Sequence, residues 1–299
     1  MDQYYGYLFA HVMKHDYGRL YYSISADGLH WKLINNGKRI IGEEYYGHPD
    51  ITRGHDGRFY LLGGGDPVIT IWVSDNLITW KKWLDYDPDV PNAVGFRKGI
   101  KHHGAPKCFY DSESSQYAMT WHSPSKEPVA EEPERVWSSM RTFYVLSKDM
   151  LHFSEPKRLF DFPFATIDVI IRKEDNKYYA FIKDERWADL SCPTGKTIRM
   201  SYSDNLLGPY TEPSLPISPN WREAPTLIQK LDGSQWYLYY EEYPGMSYGC
   251  STAKKLSGDW YNLQWQTYEI PKDVRHGGMI TITEKEYNDL MSIYGNIQE

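Results

Sequence analysis

Ser25-Ala26-Asp27-Gly28-Leu29-His30-Trp31 is the first of five copies of one phrase: a small hydroxyl residue, a spacer that is usually Asp, and an aromatic a few residues later. The others are Ser74-Asp75-Asn76-Leu77-Ile78-Thr79-Trp80, Ser147-Lys148-Asp149-Met150-Leu151-His152-Phe153, Ser203-Asp204-Asn205-Leu206-Leu207-Gly208-Pro209-Tyr210 and Thr252-Ala253-Lys254-Lys255-Leu256-Ser257-Gly258-Asp259-Trp260. Each follows a β-like run, such as Arg19-Leu20-Tyr21-Tyr22-Ser23-Ile24 or Arg141-Thr142-Phe143-Tyr144-Val145-Leu146. Asp, Asn and Gly suit a tight turn, and the aromatic re-enters the sheet.

Upstream of four of these phrases lies a second pair of strands joined by a turn: Asp50-Ile51-Thr52 with Phe59-Tyr60-Leu61-Leu62, Pro106 to Tyr110 with Tyr117 to Trp121, Asp168 to Ile171 with Tyr178 to Ile182, and Thr226-Leu227-Ile228 with Trp236 to Tyr240. A unit of about four strands in roughly 50 to 70 residues has the period of a propeller blade. The prediction is an all-β, five-bladed β-propeller. The first unit lacks an innermost strand, while the C-terminal run Gly277 to Thr283 has no partners of its own. A closed ring removes exposed strand edges, so the C-terminal strand is expected to complete the first blade. Residues 1–299 read as one propeller domain with a short, polar, helical tail from about 284 to 299.

Composition agrees. Aromatic residues make up 16% of 299 residues, with 26 Tyr and 11 Trp, and the long helical stretches of an α/β fold are missing. The net charge of -7 is spread without basic runs, which argues against a nucleic-acid surface. No segment approaches about 18 consecutive apolar residues, so a membrane partner is not expected. Neutral substrates fit best. Cys108, Cys192 and Cys250 are few and far apart, which excludes a disulfide framework. The N-terminus has neither a basic n-region nor an apolar h-region, so the chain is read as cytoplasmic, or as the mature form of a periplasmic or secreted protein.

Aligned on their innermost strands, the blades bring His48-Pro49-Asp50, His103-Gly104-Ala105-Pro106, Ile167-Asp168, Glu223-Ala224-Pro225 and Arg275-His276-Gly277 to one axis. Such a cluster of ionisable groups is costly unless solvated or functional. Glu223 stands between Trp221-Arg222 and the strand Thr226-Leu227-Ile228, with Ala224 and Pro225 keeping the opening narrow and stiff. Asp168, flanked by Ile167 and Val169, needs a partner if it is buried. Trp72, Trp187 and Trp221 are candidates for stacking on a bound ligand, against the alternative of inter-blade core. Three insertions, 85–101, 124–139 and 185–196, are usual places for binding determinants on a rigid ring, or equally plain surface excursions.

In their order along the chain, His103-Gly104-Ala105-Pro106, Thr166-Ile167-Asp168, Glu223-Ala224-Pro225 and Arg275-His276-Gly277 resemble the blade openings of glycoside hydrolase family 43, over roughly Tyr7 to Thr283. Phe181-Ile182-Lys183-Asp184-Glu185-Arg186, with Leu206 to Tyr210, is similar to members labelled endo-xylanases. The resemblance implies hydrolysis of xylan, arabinan or arabinogalactan side chains. It implies Glu223 as general acid and Asp168 as the neighbour that orients it and holds its proton on, since a like charge disfavours ionisation. The family's base is an Asp immediately before Pro; here His48 holds that place and the carboxylate follows at Asp50.

Residues two apart on a strand share a face but lie roughly 6.6 to 6.8 Å apart along it, and an inverting pair of carboxyl groups needs about 6.5 to 9.5 Å. Either a local bulge brings Asp50 into the base position, or His48 does part of the task, or the activity is lost or altered; of these, Asp50 is taken as the expected base, with His48 contacting substrate or carboxylate. His103, Arg275 and His276 are expected at the substrate, and no cofactor is required. The resemblance also implies that His276 is the residue to hold a structural calcium or sodium ion in the axial channel. Two rival readings remain: a non-catalytic carbohydrate-binding propeller, and a retaining fructosidase-like hydrolase, whose carboxyl pair would be only about 5 to 5.5 Å apart.

Overall fold

The computed structural model describes residues 3–96, 99–125, 135–245 and 247–295. Its strands form five antiparallel sheets, the blades of a five-bladed β-propeller. The first orders β19 (Val274–Thr283), β1 (Tyr4–Met13), β2 (Asp16–Ser25) and β3 (Lys32–Leu33). The second holds β4 (Asp50–Arg53), β5 (Phe59–Gly64), β6 (Ile69–Ser74) and β7 (Lys81–Tyr86). The third holds β8 (Gly104–Asp111), β9 (Gln116–Pro124), β10 (Met140–Ser147) and β11 (Lys157–Arg158). The fourth has β12 (Thr166–Glu174), β13 (Lys177–Asp184) and β14 (Ile198–Ser203), and the fifth β15 (Arg222–Gln229), β16 (Trp236–Glu242), β17 (Ser247–Ala253) and β18 (Tyr261–Asn262).

The first blade is closed as expected. Strand β19 pairs antiparallel with β1, from Tyr4 opposite Thr283 to Met13 opposite Val274. The fourth blade departs from the four-strand plan, with three strands among the described residues. Beside β14, the amides of Thr211, Ser214 and Ile217 donate to Tyr202, Met200 and Ile198, but Pro213 and Pro216 interrupt the run. Proline has no N–H to give a ladder, so this edge stays irregular.

The repeated phrase is a turn device. Ser25 Oγ accepts from the Gly28 amide at 2.9 Å, and Asp27 Oδ1 from the Leu29 and His30 amides at 2.8 Å each. Ser147 and Asp149 repeat this with Met150, Leu151 and His152, and Ser74 and Asn76 with Leu77, Ile78 and Thr79. Side-chain oxygens thus satisfy the orphan amides of the turn. Leu77 and Met150 occupy the left-handed position that Gly28 fills in the first copy, at φ 65° and 56°, and both are fully buried. Burial of the side chain offsets the backbone strain.

Several inner strands begin with a bulge. In β12 three steps from Ile167 to Ile170 face two steps in β13, and in β8 Gly104 to Lys107 does the same against β9. The inserted residues include Asp168 at φ 52° and Ala105 at φ 43°, and Ala224 in β15 has φ 48°. In β19 the step from Arg275 to Gly277 faces one step in β1, making His276 the extra residue. A bulge bends the strand and re-aims a side chain. Strand β4 lacks this feature: Asp50 pairs with Leu62 in regular register, and the left-handed residue lies upstream at Gly47, φ 127°. The bulge expected to shift Asp50 is therefore absent from β4.

Contacts group the chain into two compact units, the first comprising Met1–Gly63, Trp72–Trp83 and Thr226–Glu299, the second Gly64–Ile71 and Leu84–Pro225. In the first, Leu8, Tyr22, Ile24, Tyr45, Leu61, Trp72 and Ile282 form one apolar cluster, and Phe9, Trp31, Tyr239 and Met279 belong to another. In the second, Val169, Ile171, Tyr178, Ile182 and Phe160 pack together. The C-terminal tail is a helix, α2 (Glu284–Tyr294), started by a capping box of Thr283 and Glu286 and anchored by buried Leu290. A short helix, α1 (Arg135–Ser138), ends the 124–139 insertion, whose residues 126–134 lie outside the described ones. No helix among the described residues is long and apolar enough to cross a membrane.

Candidate active site

In the second unit the bulge of β12 aims Asp168 at the start of β15. Asp168 Oδ2 accepts a hydrogen bond from the Ala224 amide at 3.0 Å, which supplies the partner that a buried carboxylate needs. Its Oδ1 is 3.8 Å from His122 Nδ1. Behind it, Thr120 Oγ1 donates to the Val169 carbonyl at 3.1 Å and fixes the neighbouring strand. Glu223 precedes the Ala224 amide, and its side chain is 17% exposed where that of Asp168 is 3%. One carboxylate is thus buried to hold the backbone from which an accessible one projects.

Beside Glu223 lies a buried group of charges. Lys183 Nζ is 3.9 Å from Glu223 Oε2 and forms an ion pair with Glu185, which also pairs with Lys196 at 2.5 Å. Lys183 is the last residue but one of β13, and Glu185 and Lys196 close the two ends of the 185–196 insertion. The Lys196 amide also donates to the Arg186 carbonyl at 2.9 Å, so the loop is tied at its base. Lys196 Nζ then sits 5.2 Å from the centre of the Trp187 ring.

The first unit gathers the other predicted residues. His48 Nε2 and the Tyr17 hydroxyl are 2.8 Å apart, and the His48 ring stacks on His276. The Arg275 guanidinium lies 5.6 Å from the Tyr17 ring centre. Arg275 pairs with Glu241, a fully buried carboxylate that also accepts from the His276 amide at 3.0 Å. Asp50 is buried and rests on Gly278 of β19, where a Cβ would stand only 2.6 Å from Asp50 Oδ1.

A family model described as "Probable glycosyl hydrolase domain", related to glycosyl hydrolase family 43, matches residues 2–288. The chain belongs to this family. It is 28% identical over 237 residues to an alpha-L-arabinofuranosidase of Bifidobacterium longum subsp. longum, covering 70% of this chain but 22% of that protein. The chain therefore spans about a fifth of the length of that relative. A thermostable family-43 glycoside hydrolase superposes with a TM-score of 0.56 at 19% identity, over 73% of this chain and 72% of the other. An exo-beta-1,3-galactanase from Phanerochaete chrysosporium, solved with galactose, gives 0.53 at 15% identity over 73% and 49%. At these identities the likeness of structures is one of fold.

Within this family 43 chain, two predicted positions are corrected. His103 is a core residue: its Nδ1 is 3.1 Å from Ser123 Oγ, its ring meets Trp121 edge-on, and burial pulls its pKa down to about 4. Neighbouring residues of an extended chain face opposite sides, so His102 turns the other way. It stacks on Phe96 at 4.2 Å and meets His122 over Gly104, where a Cβ would lie 2.2 Å from His122 Nε2 and 2.5 Å from His102 Nε2. Trp72 is likewise buried in the apolar cluster beside Tyr45 and offers no open face. Trp187 and Trp221 stay together at the surface, ring centres 5.0 Å apart and edge to face, with Trp187 43% exposed.

The sequence reading passed over His102, His122, Tyr17, Glu241, Lys183, Glu185 and Lys196. Lys183 and Glu185 stood in a quoted phrase without a role. For them the only sequence signal is charge at the end of an apolar strand.

Proposed function

We propose that this chain hydrolyses glycosidic bonds of hemicellulose-type glycans, the side chains of xylan, arabinan or arabinogalactan, with inversion at the anomeric carbon. The observation that carries this reading is the hydrogen bond from the Ala224 amide to Asp168, beside an accessible Glu223. A general acid must reach the leaving oxygen, while the group that orients it must not move. Glu223 gives its proton to the glycosidic oxygen as the C–O bond breaks. Asp50 takes a proton from the water that attacks the opposite face, and the remaining hydroxide becomes the new anomeric hydroxyl. The similarity to an alpha-L-arabinofuranosidase makes α-L-arabinofuranosides the first substrates to test.

The test is turnover of aryl α-arabinofuranosides, β-xylosides and β-galactosides, with proton NMR of the first-formed anomer. Inversion is expected in the wild type, and loss of about 10²-fold or more in Glu223→Gln, Asp168→Asn and Asp50→Asn with the fold intact. Full activity in Glu223→Gln or Asp168→Asn overturns the assignment. A retained anomer would instead support a retaining mechanism. Sugar binding without turnover would support the carbohydrate-binding propeller, the reading favoured by His48 at the base position.

A further inference from the structure

The group formed by Lys183, Glu185 and Lys196 is costly to keep. All three side chains are at least nine-tenths buried, and together they carry two positive charges against one negative. Buried charge is tolerated when it is paired, and Glu185 pairs with both ammonium groups. Glu223 Oε2 lies 3.9 Å from Lys183 Nζ. The direction of Lys183 is also fixed. Strand β13 holds its backbone opposite Ile167 on one side and Ile198 on the other, and Glu185 pairs with its ammonium.

We infer that Lys183 is a positioning residue for proton donation: anchored by Glu185, its ammonium receives the carboxylate charge that Glu223 acquires when its proton passes to the leaving oxygen. This rests on Glu223 being the general acid. During the reaction the O–H bond of Glu223 breaks, the leaving oxygen gains that proton, and the negative charge left on Glu223 lies against the Lys183 ammonium. Before transfer Glu223 is neutral towards the Lys183 ammonium. After transfer the two carry opposite charges 3.9 Å apart. The interaction therefore strengthens as the reaction proceeds, which is the condition for lowering a barrier rather than only binding substrate. Lys196 completes the arrangement by occupying the second oxygen of Glu185, which keeps that carboxylate from turning towards Glu223.

The distinguishing readout is dependence on the leaving group. A departing 2,4-dinitrophenolate needs almost no protonation, whereas an unsubstituted phenol or a sugar alcohol needs it fully. Lys183→Met is expected to lower kcat on phenyl glycosides and oligosaccharides by about 10- to 100-fold, to spare 2,4-dinitrophenyl glycosides to within about threefold, and to leave KM near the wild-type value. Lys183→Arg should recover most of the loss. If Lys183→Met fails to fold, Glu185→Gln, which keeps the lysine but removes its anchor, carries the same expectation. Equal losses across all leaving groups, or none, would overturn the inference. Glu223→Gln measured on the same series separates the two claims. If it shows the selective loss and the Lys183 and Glu185 variants do not, only the role of Lys183 falls; if it does not, the acid assignment falls.

Discussion

The imidazole rings of His48 and His276 lie face to face, with centroids 4.0 Å apart and planes 13° from parallel. Tyr17 meets both rings edge-on and shares a hydrogen bond with His48. His48 thus has its ring face covered by His276 and its Nε2 engaged by a phenol. That arrangement suits a wall of a binding site better than a base, which must have a nitrogen free to take a proton from water. His48→Ala is expected to raise KM about five- to tenfold while kcat stays within about threefold, the pattern of lost ground-state binding. Asp50→Asn should show the reverse. A kcat collapse in His48→Ala would transfer the role of base to the histidine.

Gly278 is required by Asp50. A methyl group there would stand 2.6 Å from Asp50 Oδ1 and 3.1 Å from both its Cα and the Ile51 nitrogen, so the backbone as well as the carboxylate would have to shift. Gly278→Ala should destabilise by about 1–3 kcal/mol, typical of overpacking. It should also lower kcat/KM by about 10- to 100-fold, since small misplacements of a catalytic group are expensive. Denaturant unfolding and steady-state kinetics on one preparation check both. An unchanged kcat/KM would show that Asp50 is not the base.

The features legible in the sequence were local ones. The five turn phrases could be found because a hydroxyl and an Asp or Asn two residues on satisfy amides of their own turn, and this needs no tertiary information. The closing strand was legible because an unpartnered β-run at one end met a missing strand at the other. The alternation of an extended chain was harder: His102 and His103 are adjacent, and the choice of which one meets the core is made by Trp121 and Ser123, which only the folded sheet brings there. The ion group at Lys183 joins residues 2 and 11 positions from Glu185, but its link to Glu223 crosses two strands. Nothing in spacing announces that. The bulge expected at Asp50 was not legible either way, since β4 takes the regular register where other inner strands bulge.

The two kinds of tryptophan should separate in experiment. Trp72, 5% exposed within an apolar cluster, is expected to cost about 3–5 kcal/mol when changed to Ala, with no selective effect on ligand affinity in the fraction that folds. Trp187 is exposed and braced by Trp221 and Lys196, so Trp187→Ala should change stability by no more than about 1 kcal/mol. Its expected effect is a rise in KM for oligosaccharides and little change for aryl monosaccharides, because a ring at the surface serves the longer ligand. Melting curves together with KM on both substrate types test this. A Trp187→Ala protein with unchanged KM on oligosaccharides would remove the stacking role.

Acid should weaken the fold through its buried histidines before it acts on its surface carboxylates. Burial lowers the pKa of His11 to about 3 and that of His103 to about 4, from an ordinary 6.5. Below 6.5 the unfolded chain takes up a proton at each position while the folded chain refuses it, so stability is complete above that pH and declines as pH falls towards those lower values. Each histidine contributes a slope of up to about 1.4 kcal/mol per pH unit. Asp16 and Asp27, held near 2 by Arg39 and by hydrogen bonds around His30, are depressed carboxylates whose contribution is lost only below about pH 4. Unfolding measured between pH 7 and 4.5 therefore isolates the histidines. His103→Asn, which keeps a polar partner for Ser123, should flatten the slope in that window by about one proton and leave the loss below pH 4 unchanged. An unaltered slope would mean that His103 is already charged in the folded protein.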